Sequence, residues 1–196
     1  MTSGTGTFVA DAVGAGEAVL VDHACGRCAT CRSGAGLWCP SPLVVGRVVS
    51  PRVPASAADG LRCGLLAAAA LLEAPPARTT LVVGEPGSPT VLLARRLLDG
   101  FVLAAPSLTD DAVRAQVAGR EPSGRAAVVV AGPDVRAAVR AVRRGGHVCV
   151  PHATPDARPS VTELVQREVT LLAPRQVTPV LGRLSEPDWA AAVAAA

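Results

Sequence analysis

The order of apolar and polar positions along the chain changes character near residue 55. Before that point, short Val-rich runs such as residues 18–21 and 43–50 are separated by Gly-rich turns. Runs of this length, bounded by turn residues, predict β-strands. We therefore expect the first 55 residues to form a small β-barrel segment.

After residue 55, apolar runs of helix length and of strand length alternate. Residues 61–73 are apolar and Ala-rich and stop before Pro75, which predicts a helix. The pattern that follows predicts strands at 79–84, 101–105, 126–131, 147–150 and 169–173, and helices at 89–98, 110–117, 133–144 and 160–167. Such alternation predicts a parallel sheet with helices on both faces.

Two details of this region lead to sharper predictions. The helix at 133–144 is expected to have Gly132 as its N-cap, Pro133 at its first position and Gly145 at its end. Residues 119–125 connect a helix directly to the next strand. The third strand of the sheet is therefore predicted to be missing.

Composition limits the class of protein. The chain has 196 residues, of which 49% are hydrophobic and 18% charged, with a mean hydropathy of +0.37, so a real core can form. No apolar run reaches the length of a membrane span, and residues 1–7 have neither the basic nor the apolar part of a signal peptide. We expect a cytoplasmic protein with no membrane partner.

The charge distribution argues against a nucleic-acid partner. All 19 basic residues are Arg, the 16 acidic residues are interspersed among them, and aromatic residues make up only 2% of the chain. The cluster Arg136, Arg140, Arg143 and Arg144 has helical spacing, which indicates a solvated helix face. Lys, Asn, Ile and Tyr are absent, which is the codon bias expected of a high-GC bacterial gene.

The strongest chemical signal is a group of four cysteines within fifteen residues: Cys25, Cys28, Cys31 and Cys39. In a reducing cytosol this spacing favours a structural zinc ion held by four thiolates. Two alternatives remain open. An iron–sulfur cluster would account for the C-x2-C-x2-C run, although the gap before Cys39 is wide. Unligated buried thiols are the other alternative.

The cysteine segment resembles a known family. Residues 16–21, the four cysteines and the sequence Leu37-Trp38-Cys39 are similar to the structural-zinc lobe of zinc-type alcohol dehydrogenases of the medium-chain superfamily. Residues 128–133 and 142–148 resemble the second half of that family's nucleotide-binding domain. The resemblance implies one structural zinc on the four cysteines. It also implies a GroES-like segment over 1–55 that carries the lobe at 25–39, and a reduced Rossmann-like domain over 56–196.

The resemblance also indicates what the chain lacks. Family members bind a catalytic zinc through an early Cys, a Gly-His-Glu segment and a later Cys or Glu, and Cys63 matches only the last of these. Since a catalytic zinc needs about three protein ligands, Cys63 cannot form that site alone. A relocated site built from Cys63, Cys149 and His152 is one hypothesis, and an ordinary packing role for Cys63 is the other.

The cofactor loop departs from the family pattern as well. Gly84, Gly87 and Ser88 are the candidate residues for binding NAD(P), but Pro86 and Pro89 stand where the second and third glycines of the dinucleotide motif belong. Ser107 lies where an Asp would bind the ribose, and no Arg neighbours it in sequence. We expect the binding of NAD(P) to be impaired.

Three functional hypotheses follow, and the sequence leaves enzymatic activity open. The favoured one is a shortened alcohol dehydrogenase-like scaffold without zinc-dependent dehydrogenase activity, which is repurposed or accessory to a protein partner. The alternative is an NADP(H)-dependent reductase of a carbonyl, alcohol or enoyl substrate that uses no catalytic zinc. The third is a truncated gene product. Uncovered apolar surface predicts a homo-oligomer or another protein partner.

Overall fold

The computed structural model describes residues 8–151 and 159–196. Its first part is an antiparallel sheet of β1 (Phe8–Gly14), β2 (Glu17–Asp22), β3 (Arg47–Val48) and β4 (Val53–Pro54). Strand β2 is central and pairs with the other three strands. The sequence predicted a strand at 43–50, but only Arg47–Val48 form one. Val44 and Val45 are exposed to solvent, so burial does not hold them in a sheet.

The second sheet has five parallel strands in the order β6-β5-β7-β8-β9. Its strands are β5 (Thr79–Val83), β6 (Phe101–Ala105), β7 (Ala126–Val130), β8 (Val142–Cys149) and β9 (Thr170–Leu172). In the part of the chain that the structure describes, β6 forms one edge of this sheet and no strand lies beyond it. This agrees with the prediction that a third strand is missing.

Helices cover both faces of the parallel sheet, as predicted. They are α2 (Ala55–Leu72), α3 (Pro89–Leu97), α4 (Asp111–Ala118), α5 (Val135–Ala141) and α6 (Val161–Arg167), with α1 (Ala29–Arg32) in the cysteine segment and α7 (Thr178–Leu181) and α8 (Glu186–Ala194) near the C-terminus. Helices α2 and α3 pack on one face, and α4, α5 and α6 on the other. Because crossovers are right-handed, the step from β5 to β6 and the opposite step from β6 to β7 put their helices on opposite faces.

Helix α2 is the central helix of the core. Eleven of its eighteen residues are buried, and Leu61 and Leu65 pack with Phe8 and Leu20 of the antiparallel sheet. By length and composition α2 could cross a membrane, but most of it is enclosed by the rest of the fold.

The region around helix α5 corrects the sequence prediction. Asp134, not Gly132, is the N-cap, because its carboxylate accepts a hydrogen bond from the Ala137 N–H at 2.9 Å. The helix ends at Ala141, and β8 begins at Val142. Strand β8 bulges between its pairings with Ala126 and Val128, and Gly145 lies there with φ of 69°. Arg143 and Arg144 therefore belong to the strand and not to a helix face.

Candidate metal centre

The four clustered cysteines are positioned by two short helical turns. Helix α1 begins at its N-cap Cys28 and carries Cys31 on its single turn. A 3-10 turn at Gly36–Trp38 then places Cys39 directly after it. Gly26, with φ of 72°, provides the tight turn between the first two cysteines. These turns direct all four side chains toward one point.

The sulfur positions fit a tetrahedral metal ion. All four Sγ atoms lie within 4.8 Å of one another, and both the Cys25–Cys31 and the Cys28–Cys39 pairs are 3.8 Å apart. A zinc ion with four Zn–S bonds of about 2.3 Å gives a tetrahedron whose edges are about 3.8 Å. A disulfide requires sulfurs about 2.0 Å apart, and the four cysteines are free thiols. The cluster can therefore hold a metal ion.

Backbone N–H groups support the sulfurs. The Cys28 N–H donates to Cys25 Sγ and the Cys31 N–H donates to Cys28 Sγ, each at 3.4 Å. The backbone N–H groups of Arg27 and Cys28 lower the pKa of Cys25 to about 6, whereas burial raises the pKa of Cys31 to about 12. Such N–H···S bonds stabilise negative charge on the sulfurs, as a metal–thiolate site requires.

The cysteine lobe, residues 25–39, is attached to the segment that follows β9. Trp38 Nε1 donates to the Pro174 carbonyl at 3.0 Å, and the Leu37 N–H donates to the Arg175 carbonyl at 3.0 Å. In return, Arg175 Nη2 donates to the Ser33 carbonyl at 2.9 Å. This docking could not be predicted from local sequence, because the partners lie more than 130 residues apart.

Among the described residues, Cys63 and Cys149 belong to no second group of metal-ligating side chains. Cys63 is half-buried in α2, and burial raises its pKa. Cys149 is fully buried in β8, where its thiol donates to the Ala70 carbonyl at 3.5 Å and burial raises its pKa to about 12. His152 lies outside the described residues. Within residues 8–151 and 159–196, the only group of three or more metal-ligating side chains is the cysteine lobe.

In the turn between β5 and α3, two backbone N–H groups donate hydrogen bonds within the protein. The Gly84 N–H donates to the Ala105 carbonyl at 3.0 Å, and the Ser88 N–H donates to the Glu85 carbonyl at 2.9 Å. The Ser88 hydroxyl is buried without a hydrogen-bond partner and lies 2.9 Å from where a Cβ of Gly84 would stand. The turn is therefore compact, and Ser88 begins α3 as its N-cap residue.

Comparisons with known proteins identify the architecture. No family model matches the sequence, and no curated protein matches it either. Acetophenone reductase from Geotrichum candidum, solved with NAD, superimposes with a TM-score of 0.60 at 16% identity over 88% of this chain and 64% of its own. An alcohol dehydrogenase zinc-binding domain protein from Burkholderia ambifaria gives 0.55 at 16% identity over 87% and 67%. A zinc-binding dehydrogenase from Sinorhizobium meliloti, solved with NADP, gives 0.51 at 15% identity over 93% and 68%.

The chain has the fold of zinc-binding alcohol dehydrogenases. Because the sequence identities are only 15–16%, the structural similarity establishes the fold and nothing further. The chain spans about two thirds of the length of these structures. The expected combination of a GroES-like antiparallel part with a Rossmann-like parallel sheet is confirmed.

In this alcohol dehydrogenase fold, ligands bind at the carboxyl ends of the parallel strands. Among the described residues, one cavity at this edge has a volume of about 170 Å³ and is lined by Ser107 but not by Gly84, Gly87 or Ser88. Small-molecule sites usually have about 300–1,000 Å³. The Ser107 hydroxyl is already engaged with Thr109 Oγ1 at 2.8 Å. The binding of NAD(P) by Gly84, Gly87, Ser88 and Ser107 stays a prediction.

One residue near Ser107 was missed by the sequence reasoning. Arg114, on the first turns of α4, donates from Nη2 to the Thr109 carbonyl at 2.6 Å. The fold thus brings a guanidinium to the loop that follows β6, although no Arg adjoins Ser107 in the sequence. The only available signal was the predicted helix at 110–117, which places Arg114 one turn from its start.

Proposed function

We propose that the chain is a zinc-stabilised scaffold with the alcohol dehydrogenase fold, which has no zinc-dependent dehydrogenase activity of its own and acts as a repurposed or accessory protein together with a protein partner. The observation that carries this proposal is the turn at residues 84–89, in which Pro86, Pro89 and internal hydrogen bonds leave few N–H groups for a phosphate.

The metal assigned to the cysteine lobe is zinc, one ion per chain. Four thiolates saturate a tetrahedral zinc and leave no open position for a water or a substrate. The ion's contribution is therefore structural: it holds together a lobe in which, of the four ligands, only Cys39 is buried. Free thiols at this spacing persist in a reducing compartment, which supports a location in the cytoplasm.

The backbone N–H groups of the turn at residues 84–89 support the loss of dinucleotide binding. Pro86 and Pro89 have no N–H group, and the N–H groups of Gly84 and Ser88 are used within the protein. The remaining N–H groups in residues 84–89 are those of Glu85 and Gly87, and the Glu85 carboxylate repels a pyrophosphate. Phosphate binding at a helix N-terminus needs several converging N–H groups. This turn therefore provides little affinity for NAD(P).

The partner surface is assigned to the β9 edge of the parallel sheet. Within the described residues β9 pairs only with β8, so its outer backbone groups are open. Beside it, Val161 and Val165 of α6 are 74% and 70% exposed, and Leu171 of β9 is 39% exposed. An open strand edge next to exposed apolar side chains favours pairing with another chain. A second copy of this protein satisfies both features.

Titration with NADH and NADPH tests the functional proposal. Binding is followed through the fluorescence of Trp38 and Trp189 and by calorimetry on the zinc-loaded protein. We expect no saturable binding at millimolar cofactor. A Kd below about 100 μM, equivalent to about 5.5 kcal/mol, would overturn the proposal.

A second candidate function is an NADP(H)-dependent reductase without catalytic zinc. It is favoured by Arg114, whose guanidinium lies beside the loop after β6, where a ribose phosphate would approach. This candidate predicts that NADPH binds and NADH does not, and that Arg114→Gln removes the difference. Arg143→Gln is the matched control, because Arg143 is exposed on β8. The same titration therefore separates the two candidates.

A further inference from the structure

The favoured proposed function does not use a groove on the α4–α5 face of the parallel sheet, and the second candidate uses only Arg114 of its lining. It lies between helices α4 and α5 and has a volume of about 430 Å³. Its floor is apolar and includes Leu81, Val113 and Val117, which are buried core residues. The groove exists because α4 crosses above β5 on its way to β7 and leaves a gap before α5. The turn at residues 84–89 does not line it.

Arginines surround this floor. Four guanidinium groups line the groove, those of Arg114, Arg125, Arg136 and Arg140. Arg125 is anchored by a hydrogen bond from its Nη1 to the Arg140 carbonyl at 2.7 Å. Acidic groups also face this region: Asp134 lines the groove as the N-cap of α5, and Asp111 pairs with Arg114 at 3.4 Å.

Positive charge exceeds negative charge at the α5 side of the groove. Glu163 of α6 is shared by two arginines, with its Oε1 2.8 Å from Arg140 Nη2 and its Oε2 3.5 Å from Arg136 Nε. Arg167 donates to the Val142 carbonyl in the same region. Burial, and then the positive charge of Arg125, lower the pKa of Arg167. Four guanidinium groups therefore lie near two carboxylates there, those of Glu163 and Asp134.

The arginines retain unused donors. Each guanidinium carries five N–H groups, and the ion pair of Arg136 engages its Nε while the hydrogen bond of Arg125 engages its Nη1. Within the described residues, no further hydrogen bond or ion pair engages the other nitrogens of these two side chains. An anion with several oxygens would satisfy them and balance the local charge.

We infer that the groove between α4 and α5 binds a small organic phosphate, with the phosphate on Arg125 and Arg136 and the apolar body of the ligand on the floor formed by Leu81, Val113 and Val117. The volume lies within the range of about 300–1,000 Å³ that is typical of small-molecule sites. The apolar floor distinguishes this ligand class from bare phosphate, because burying an apolar ring adds affinity that an inorganic ion lacks.

Calorimetry with phenyl phosphate and inorganic phosphate at low ionic strength tests the inference. We expect phenyl phosphate to bind about tenfold more tightly than inorganic phosphate. Arg136→Gln should weaken phenyl phosphate about tenfold, because a charge-assisted hydrogen bond is lost. Arg143→Gln, which removes an exposed arginine of β8 outside the groove, should leave the affinity unchanged. Equal effects of the two variants would overturn the assignment.

A second pair of variants guards against indirect effects on folding. Ala141, the last residue of α5, lines the groove, and Ala118, the last residue of α4, does not. Ala141→Glu puts a carboxylate into the site and should abolish binding, whereas Ala118→Glu adds the same charge at an equivalent helix end and should not. Circular dichroism verifies that both variants fold. Absence of phenyl phosphate binding to the wild-type protein at millimolar concentration would refute the inference, whatever the outcome with NADPH.

Discussion

Trp38 Nε1 donates a hydrogen bond to the Pro174 carbonyl at 3.0 Å and so joins the cysteine lobe to the segment that follows the last strand of the parallel sheet. Together with the bond from the Leu37 N–H to the Arg175 carbonyl, this contact couples the lobe to the sheet. A metal ion bound by the lobe therefore stabilises more than the fifteen residues around it.

Replacement of Trp38 tests this coupling. Trp38→Phe keeps an aromatic ring but removes the donor, so we expect the free energy of unfolding to fall by about 0.5–1.5 kcal/mol with the zinc content unchanged. Urea unfolding measures the first quantity and metal analysis the second. Trp189→Phe is the control, because Trp189 packs against the apolar core. We expect Trp38→Phe, but not Trp189→Phe, to make the cysteine lobe more sensitive to proteolysis. Equal protease sensitivity of the two variants would argue against the coupling.

Replacement of a cysteine ligand should have a larger effect. Cys28→Ser removes one of four thiolates and a sulfur that accepts the Cys31 N–H, so zinc should be lost and the thermal midpoint should fall by about 5 °C or more. Cys63→Ser exchanges the same atoms in helix α2, outside the cluster, and should retain zinc. Retention of full zinc by Cys28→Ser would show that the ion is bound elsewhere.

Much of this fold could be predicted from local sequence. The alternation of apolar runs located all five parallel strands, and the tight spacing of four cysteines predicted that their side chains meet. Both predictions succeed because each pattern is formed by residues close together in the sequence. The residues at 101–105 form the predicted strand with the same limits. The missing third strand could be predicted for the same reason, since residues 119–125 are too short to contain it.

What could not be predicted depends on contacts between distant residues. The end of α5 at Ala141 is set by the pairing of Val142 with Ala126, which overrides the helical spacing of the arginines. The approach of Arg114 to Thr109 depends on where α4 crosses the sheet. In each case the deciding interaction is tertiary, and local propensity is a weak guide there.

The partner surface predicts a concentration-dependent assembly. Val165 is 70% exposed on α6 beside the β9 edge, so Val165→Glu should convert the assembly to a monomer, because a charge would be buried at the interface. Val44→Glu is the matched control, since Val44 is 97% exposed on a loop distant in sequence from β9. Sedimentation velocity distinguishes the two. A monomeric wild-type protein would contradict the proposal.

The ion pair and cap of the C-terminal helix predict how the stability of the fold depends on pH. Asp188 caps α8 through Ser185 and pairs with Arg96 of α3 at 2.9 Å, and these bonds lower its pKa to about 2. A carboxyl group with a depressed pKa stabilises the fold above its unfolded-state pKa of about 4, and this stabilisation is lost as the pH falls toward the folded value.

The advantage of wild type over Asp188→Asn in urea unfolding should therefore be full at pH 7 and shrink below about pH 4. Asp59→Asn is the control, because the Asp59 side chain is 85% exposed. A difference between wild type and Asp188→Asn that is independent of pH would contradict this account of the helix.

The most direct test of the central claim is the metal content of the purified protein, measured by mass spectrometry together with X-ray absorption at the zinc edge. A structural site without a catalytic one predicts one zinc per chain, with four sulfur neighbours at about 2.3 Å. Two zinc ions per chain, nitrogen or oxygen in the coordination shell, or iron in place of zinc would contradict it.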